Sequence, residues 1–100
     1  MRKGIVNRGR VQIYSEDCSL IQTIGKGDAI HTDLKNDGSL ILITTMMGKV
    51  ELWKDDGSLI RTIADLNAQS AKFNGDNILV LTRQFHLELR GEKGELLRVL

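Results

Sequence analysis

Lys49 to Ile63 reads KVELWKDDGSLIRTI, and this stretch decides the fold. Apolar and polar residues alternate before Asp55-Asp56-Gly57 and apolar residues resume after it, the pattern of two antiparallel strands joined by a tight turn. The same pattern stands at Arg10 to Ile24, RVQIYSEDCSLIQTI, and at His86 to Leu100, HLELRGEKGELLRVL. Val11, Val50 and Leu87 mark matching positions, so the unit recurs after 39 and then 37 residues, a spacing at which repeat architectures arise. Between these units, DLKNDGSLILITTMMGK from Asp33 to Lys49 is echoed by SAKFNGDNILVLTRQFH from Ser70 to His86, with Gly38 matching Gly75.

Short apolar runs separated by Gly, Asn and Asp predict strands at 3–6, 10–14, 20–24, 30–34, 40–45, 49–54, 59–63, 68–73, 78–82, 86–90 and 96–100. The expected fold class is all-β, with antiparallel strands in sets of three, four and four. The 100 residues form one expected domain, with a partial repeat at 1–24 and repeats at 30–63 and 68–100, about 2.6 repeats in all.

The repeated hairpins also suggest a register. If Lys54 and Ser58 close a three-residue loop, Gly57 takes its left-handed position. Trp53 then pairs with Leu59, Leu52 with Ile60 and Glu51 with Arg61. The repeat offsets place Glu88 opposite Arg98 and Gln12 opposite Gln22, and both charged pairs are expected to be structural. Gly94 repeats Gly57, but the first unit has Cys18 there, so that hairpin either changes turn type or accepts a strained residue.

These residues resemble blades of a β-propeller, particularly WD40-like repeats, and KNDGSLILITTMMGKVELWKDDGSLIRTI from Lys35 to Ile63 is the clearest match. The departures are that Lys54 follows Trp53 where the family has Asp, Tyr14 and Arg90 stand in place of Trp, and no Gly-His dipeptide precedes an inner strand. The resemblance implies four-stranded blades around a channel, normally four to eight of them. About 2.6 repeats do not close such a ring, so the resemblance implies closure by self-association as a dimer or trimer.

Composition narrows the function. Fourteen Lys and Arg against 13 Asp and Glu leave a net charge of +1, well short of the basic excess of a nucleic-acid surface. No long apolar leader opens the sequence and no run approaches the roughly 18 residues of a membrane helix, so the expectation is a cytoplasmic chain without a membrane partner. Cys18 is the only cysteine, which excludes an internal disulfide framework and a cysteine metal cluster. Gly25-Lys26-Gly27 lacks the spacing of a phosphate-binding loop. No cofactor or metal is expected.

Candidate binding residues are few. His31 and Asp33 lie two apart on an expected inner strand, share one face and are candidates to line a channel. Ala68 and Ser70 stand at the level assigned to them in the third repeat, so no catalytic set is repeated. Met46 and Met47, near a turn, are candidates for an adaptable partner surface. Trp53 and Tyr14 are read as packing between repeats, and Phe73 and Phe85 as interior or turn-packing residues. The expected function is a non-enzymatic, oligomeric protein-binding module that uses loops at one end of the ring. The alternatives are a small-molecule or carbohydrate-binding protein, or an enzyme, with its site in the channel or between subunits, and a self-assembling repeat fragment.

Overall fold

The computed structural model describes residues 2–100 as eleven strands: β1 (Lys3–Asn7), β2 (Arg10–Tyr14), β3 (Leu20–Ile24), β4 (Ala29–Leu34), β5 (Leu40–Thr45), β6 (Val50–Lys54), β7 (Leu59–Ala64), β8 (Ala68–Asn74), β9 (Asn77–Thr82), β10 (Leu87–Arg90) and β11 (Leu96–Val99). They form three antiparallel meanders: sheet 1 from β1 to β3, sheet 2 from β4 to β7 and sheet 3 from β8 to β11. The strand positions follow the alternation in the sequence to within a residue or two at each end.

Two apolar clusters join the sheets. Val11, Ile13 and Ile24 of sheet 1 meet Ala29, Ile41, Ile43 and Trp53 of sheet 2. Leu42, Val50, Leu52 and Ile63 of sheet 2 meet Ala68, Ala71, Ile78 and Val80 of sheet 3. The same positions recur in both clusters, so each sheet packs its leading face onto the trailing face of the sheet before it. Sheet 2 is therefore covered on both sides, which explains the nearly continuous apolar run Leu40-Ile41-Leu42-Ile43 on β5. The inner strands β4 and β8 lie side by side, and each also packs on the sheet before it.

The turns take the expected form. Lys54 N donates to Ser58 O at 2.8 Å and Gly57 N to Lys54 O at 3.0 Å, with Gly57 at φ 91° and Gly94 at φ 90°. The first hairpin keeps this turn, with Cys18 at φ 68° and its N–H on Ser15 O at 3.0 Å. Cys18, rather than the turn type, absorbs the difference. The Asp-x-Ser pattern has a physical reason as well. Asp37 Oδ1 accepts from the Ser39 N–H at 2.9 Å and hydroxyl at 2.6 Å, and Asp56 and Asp17 hold Ser58 and Ser19 in the same way.

The cross-strand register differs from the expectation beyond the first pair. Trp53 pairs with Leu59 and Tyr14 with Leu20, but Leu52 pairs with Arg61 and Glu51 with Thr62. Glu88 faces Val99, Arg98 faces Leu89, and Gln12 faces Thr23. The expected Glu51–Arg61, Glu88–Arg98, Leu52–Ile60 and Gln12–Gln22 pairs do not form. In each outer strand a bulge at the same place leaves one residue, Ile21, Ile60 or Leu97, out of the ladder, and β7 leaves out Ile63 at a second bulge; each inserted residue moves every later partner by one.

The polar residues instead pair along their own strand. Tyr14 Oη donates to Gln12 Oε1 at 3.1 Å, Trp53 Nε1 to Glu51 Oε1 at 3.1 Å, and Arg90 Nε to Glu88 Oε1 at 3.0 Å. Residues two apart on a strand share a face, so each sheet carries an acceptor and a donor at one repeated site on its leading face. Arg90 also donates to Gly94 O at 2.9 Å and, across to sheet 2, to Ile63 O at 3.3 Å.

Candidate binding surface

Because every connection is a hairpin or a short link, alternate loops gather at opposite ends of the sheets. One end carries β1–β2, β3–β4, β5–β6, β7–β8 and β9–β10. These loops are knitted together by the backbone. Ala29 N donates to Gly9 O at 2.8 Å and, one sheet on, Ala68 N donates to Gly48 O at 3.0 Å. Met46 N donates to Asp28 O at 2.8 Å and Arg83 N to Asn67 O at 2.7 Å. The Arg83 side chain closes the set through Met46 O at 2.6 Å.

On this braced end four large apolar side chains face outward: Met46, Met47 (70% exposed), Leu66 and Phe85 (75% exposed). Arg8, Lys26, Lys49 and Arg83 accompany them, against Asp28 and Asp65. The opposite end is acidic, with Glu16, Asp17, Asp37, Asp56, Asp76 and Glu92 among its loop residues, and its loops carry no large apolar side chain. A near-neutral chain is thus divided into a basic, apolar end and an acidic, polar end.

Phe85 was expected to be interior or turn-packing and is instead the most exposed of these side chains. Its turn matches the β5–β6 turn bond for bond: Phe85 N donates to Thr82 O as Gly48 N donates to Thr45 O. Phe85 therefore holds the left-handed position at φ 65° that Gly48 holds at φ 85°. Leu66, on the β7–β8 loop, was not singled out from the sequence. The matching of turns, Thr45 to Lys49 against Thr82 to His86, is the signal that points to Phe85.

His31 and Asp33 share a face of β4, turned toward sheet 3. Asp33 Oδ2 accepts from the Phe73 N–H of β8 at 2.8 Å, so this carboxylate ties two inner strands together. His31 stands opposite Thr44, and His31 Nδ1 and Thr44 Oγ1 are buried without a protein hydrogen-bond partner. Burial is the main cause that holds the His31 pKa below its ordinary 6.5; Asp33 opposes it and Lys72 adds to it. The repeat equivalence expected here is corrected by the turn length: Phe73 pairs with Ile78 across a turn two residues shorter than the one by which Leu34 pairs with Ile41, while Ile30 and Gln69 are bulged at the same place, so Ser70 and Lys72, rather than Ala68 and Ser70, match His31 and Asp33. Met46 and Met47 lie on the β5–β6 loop, which begins two residues after Thr44, the partner of His31. Among the described residues, no group of three or more His, Cys, Asp or Glu is arranged to hold a metal ion.

No family model matches the sequence, and no curated protein matches it. Among solved structures the chain is similar to BamB from Moraxella catarrhalis, with a TM-score of 0.76 and 18% identity over 97% of this chain. The chain has a propeller-like, all-β fold. The match takes in 31% of the BamB chain, so this chain spans about a third of its length, and its sheets resemble propeller blades. The cytoplasmic placement expected from the sequence is corrected by the same comparison, since BamB is a periplasmic outer-membrane lipoprotein. That expectation rested on the lack of an apolar leader and helix, and neither feature assigns a compartment.

Proposed function

We propose that this chain is a binding module of propeller type, without a catalytic centre of its own, that presents its loop end to a protein partner and completes its ring from two or three copies. The observation that carries this reading is the set of exposed side chains Met46, Met47 and Leu66 on loops braced by backbone hydrogen bonds. Large apolar groups held outward on a rigid frame are the usual composition of an interface core. The thioethers of Met46 and Met47 adapt to irregular partners, and the basic rim favours an acidic one by raising its rate of encounter.

A second reading has one observation of its own. The unpartnered His31 Nδ1 and Thr44 Oγ1 beside Asp33 suit a small polar ligand, such as a carbohydrate, near the inner strands. Amide shifts in an NMR titration distinguish the two. With a peptide alternating acidic and apolar residues, the partner-binding reading expects shifts at 46–48 and 65–67. Shifts confined to 31–33, 44 and 70–72 with maltose, and none with the peptide, would replace it with the small-ligand reading. Light scattering on the chromatographed chain tests the assembly, with two or three times 11.2 kDa expected.

A further inference from the structure

We infer that the trailing face of sheet 3 is covered by the leading face of sheet 1 from a second copy, with Phe85 filling the space that an inner-strand loop fills between sheets of the same chain. The inference rests on the composite-ring reading above and names the surfaces that would build it.

The trailing face of sheet 3 is the first observation. Leu79, Leu81, Leu87 and Leu89 occupy the register positions of Leu42, Thr44, Val50 and Leu52 in sheet 2. The sheet 2 residues are at most 4% exposed beneath sheet 3. Leu87 is 40% exposed and the other three leucines are half-buried. A leucine surface that is sealed at one repeat and open at the next fits a further sheet.

The leading face of sheet 1 supplies the complement. Ile5 and Tyr14 match Ile43 and Trp53, which sheet 2 packs against its predecessor. On this face Ile5, Tyr14 and Lys3 line an open groove of about 490 Å³. Both stackings within the chain join a trailing face to a leading face, so continuing the same relation brings Leu79, Leu81, Leu87 and Leu89 against Ile5 and Tyr14 of another copy.

Phe85 decides what kind of sheet can follow. Gly9 and Gly48 hold the matching place in the earlier turns, and their carbonyls receive the first N–H of β4 and β8. A Cβ at Gly9 would lie 2.1 Å from Gly27 O, and one at Gly48 would lie 2.7 Å from Asn67 N. No side chain fits there when the next sheet has an inner strand with its leading loop. Phe85 therefore excludes a four-stranded sheet docked in the same way, and it suits one that lacks the inner strand. Among the described residues, sheet 1 has three strands and no inner one.

A mixing experiment tests this on the full 100-residue chain. One variant carries Leu87→Glu and Leu89→Glu, and the other carries Ile5→Glu and Tyr14→Glu. Each alone is expected to be monomeric by light scattering, while an equimolar mixture recovers a dimer through the one intact pair of faces. Phe85→Gly, which relieves the left-handed strain, is expected to weaken association about tenfold with an undiminished melting temperature at high dilution; it also keeps the test open if the double variants do not fold. An oligomer that survives Ile5→Glu and Tyr14→Glu would overturn the inference and leave the composite ring standing by another face. Unchanged association of Phe85→Gly would overturn the part assigned to Phe85. A wild-type chain that stays monomeric at every concentration would overturn both the inference and the ring, leaving the loop surface to be judged by its own titration.

Discussion

Trp53 Nε1 donates to Glu51 Oε1 at 3.1 Å on the leading face of β6, inside the contact between sheets 1 and 2. Glu51 is only 4% exposed, and its other oxygen stands 3.5 Å from Lys26 Nζ. The carboxylate thus satisfies a buried indole on one side and meets a surface cation on the other. Glu51→Ala is expected to destabilise by about 1–3 kcal/mol, because it strands the Trp53 N–H in the core. Glu51→Gln, which retains an acceptor, should cost less. Denaturant unfolding followed by Trp53 fluorescence measures both, and equal losses would show that the indole bond contributes nothing.

Cys18 sits at φ 68° where the sister turns have Gly57 and Gly94. Cys18→Gly should raise stability by about 0.5–1 kcal/mol, since glycine enters the left-handed region without the Cβ clash. A thermal melt under reducing conditions checks this, and a lower midpoint would argue against strain at that turn.

Gly48 is the converse case. Its φ of 85° and the 2.7 Å approach of a Cβ to Asn67 N predict that Gly48→Ala costs about 2 kcal/mol or more. The loss should appear in chemical denaturation as a shifted midpoint. Hydrogen exchange should also quicken at Ala68 N, whose acceptor is Gly48 O.

His31 gives a signed pH dependence. Burial lowers its folded pKa below 6.5, so the unfolded chain takes up the proton first as pH falls. The stability linked to His31 is whole above 6.5, declines below it, and levels off once pH passes under the folded value. His31→Gln should flatten this part of the profile. If melts of the two proteins run parallel from neutral to mildly acid pH, His31 is not the titrating group.

The turn carboxylates titrate in a separate window. Hydrogen bonds from Ser39 hold the Asp37 pKa below 3.8, and those from Ser58 do the same for Asp56. Their contribution is present above 3.8 and lost as pH falls through the lowered values. Asp37→Ala and Asp56→Ala should therefore melt lower than wild type at neutral pH and converge with it in strong acid. A gap that persists in acid would point to turn entropy instead of the charged hydrogen bonds.

The strands were legible because alternation and Gly-containing turns are local signals, and the recurrence of Val11, Val50 and Leu87 grouped them. The register was not, because Leu59-Ile60 and Leu96-Leu97 are apolar at both positions and nothing in either dipeptide says which residue leaves the ladder. A β8–β9 turn two residues shorter than the β4–β5 turn shifted the expected equivalents of His31 and Asp33 from Ser70 and Lys72 to Ala68 and Ser70. Met46 and Met47 were legible as turn residues. Phe85 was read as an interior or turn-packing residue, and its exposure follows only from a turn geometry shared with Gly48. The compartment lay beyond the composition entirely.

The division between a basic, apolar end and an acidic, polar end has a practical outcome. A molecule with a net charge of +1 would ordinarily pass weakly over any charged medium, but one whose charges are segregated turns its matching end toward whatever surface it meets. Both cation- and anion-exchange resins should hold this chain, each grasping it by a different end, and salt should release it from both. On a sensor chip, the sign of the coating would decide which loops remain open to solution.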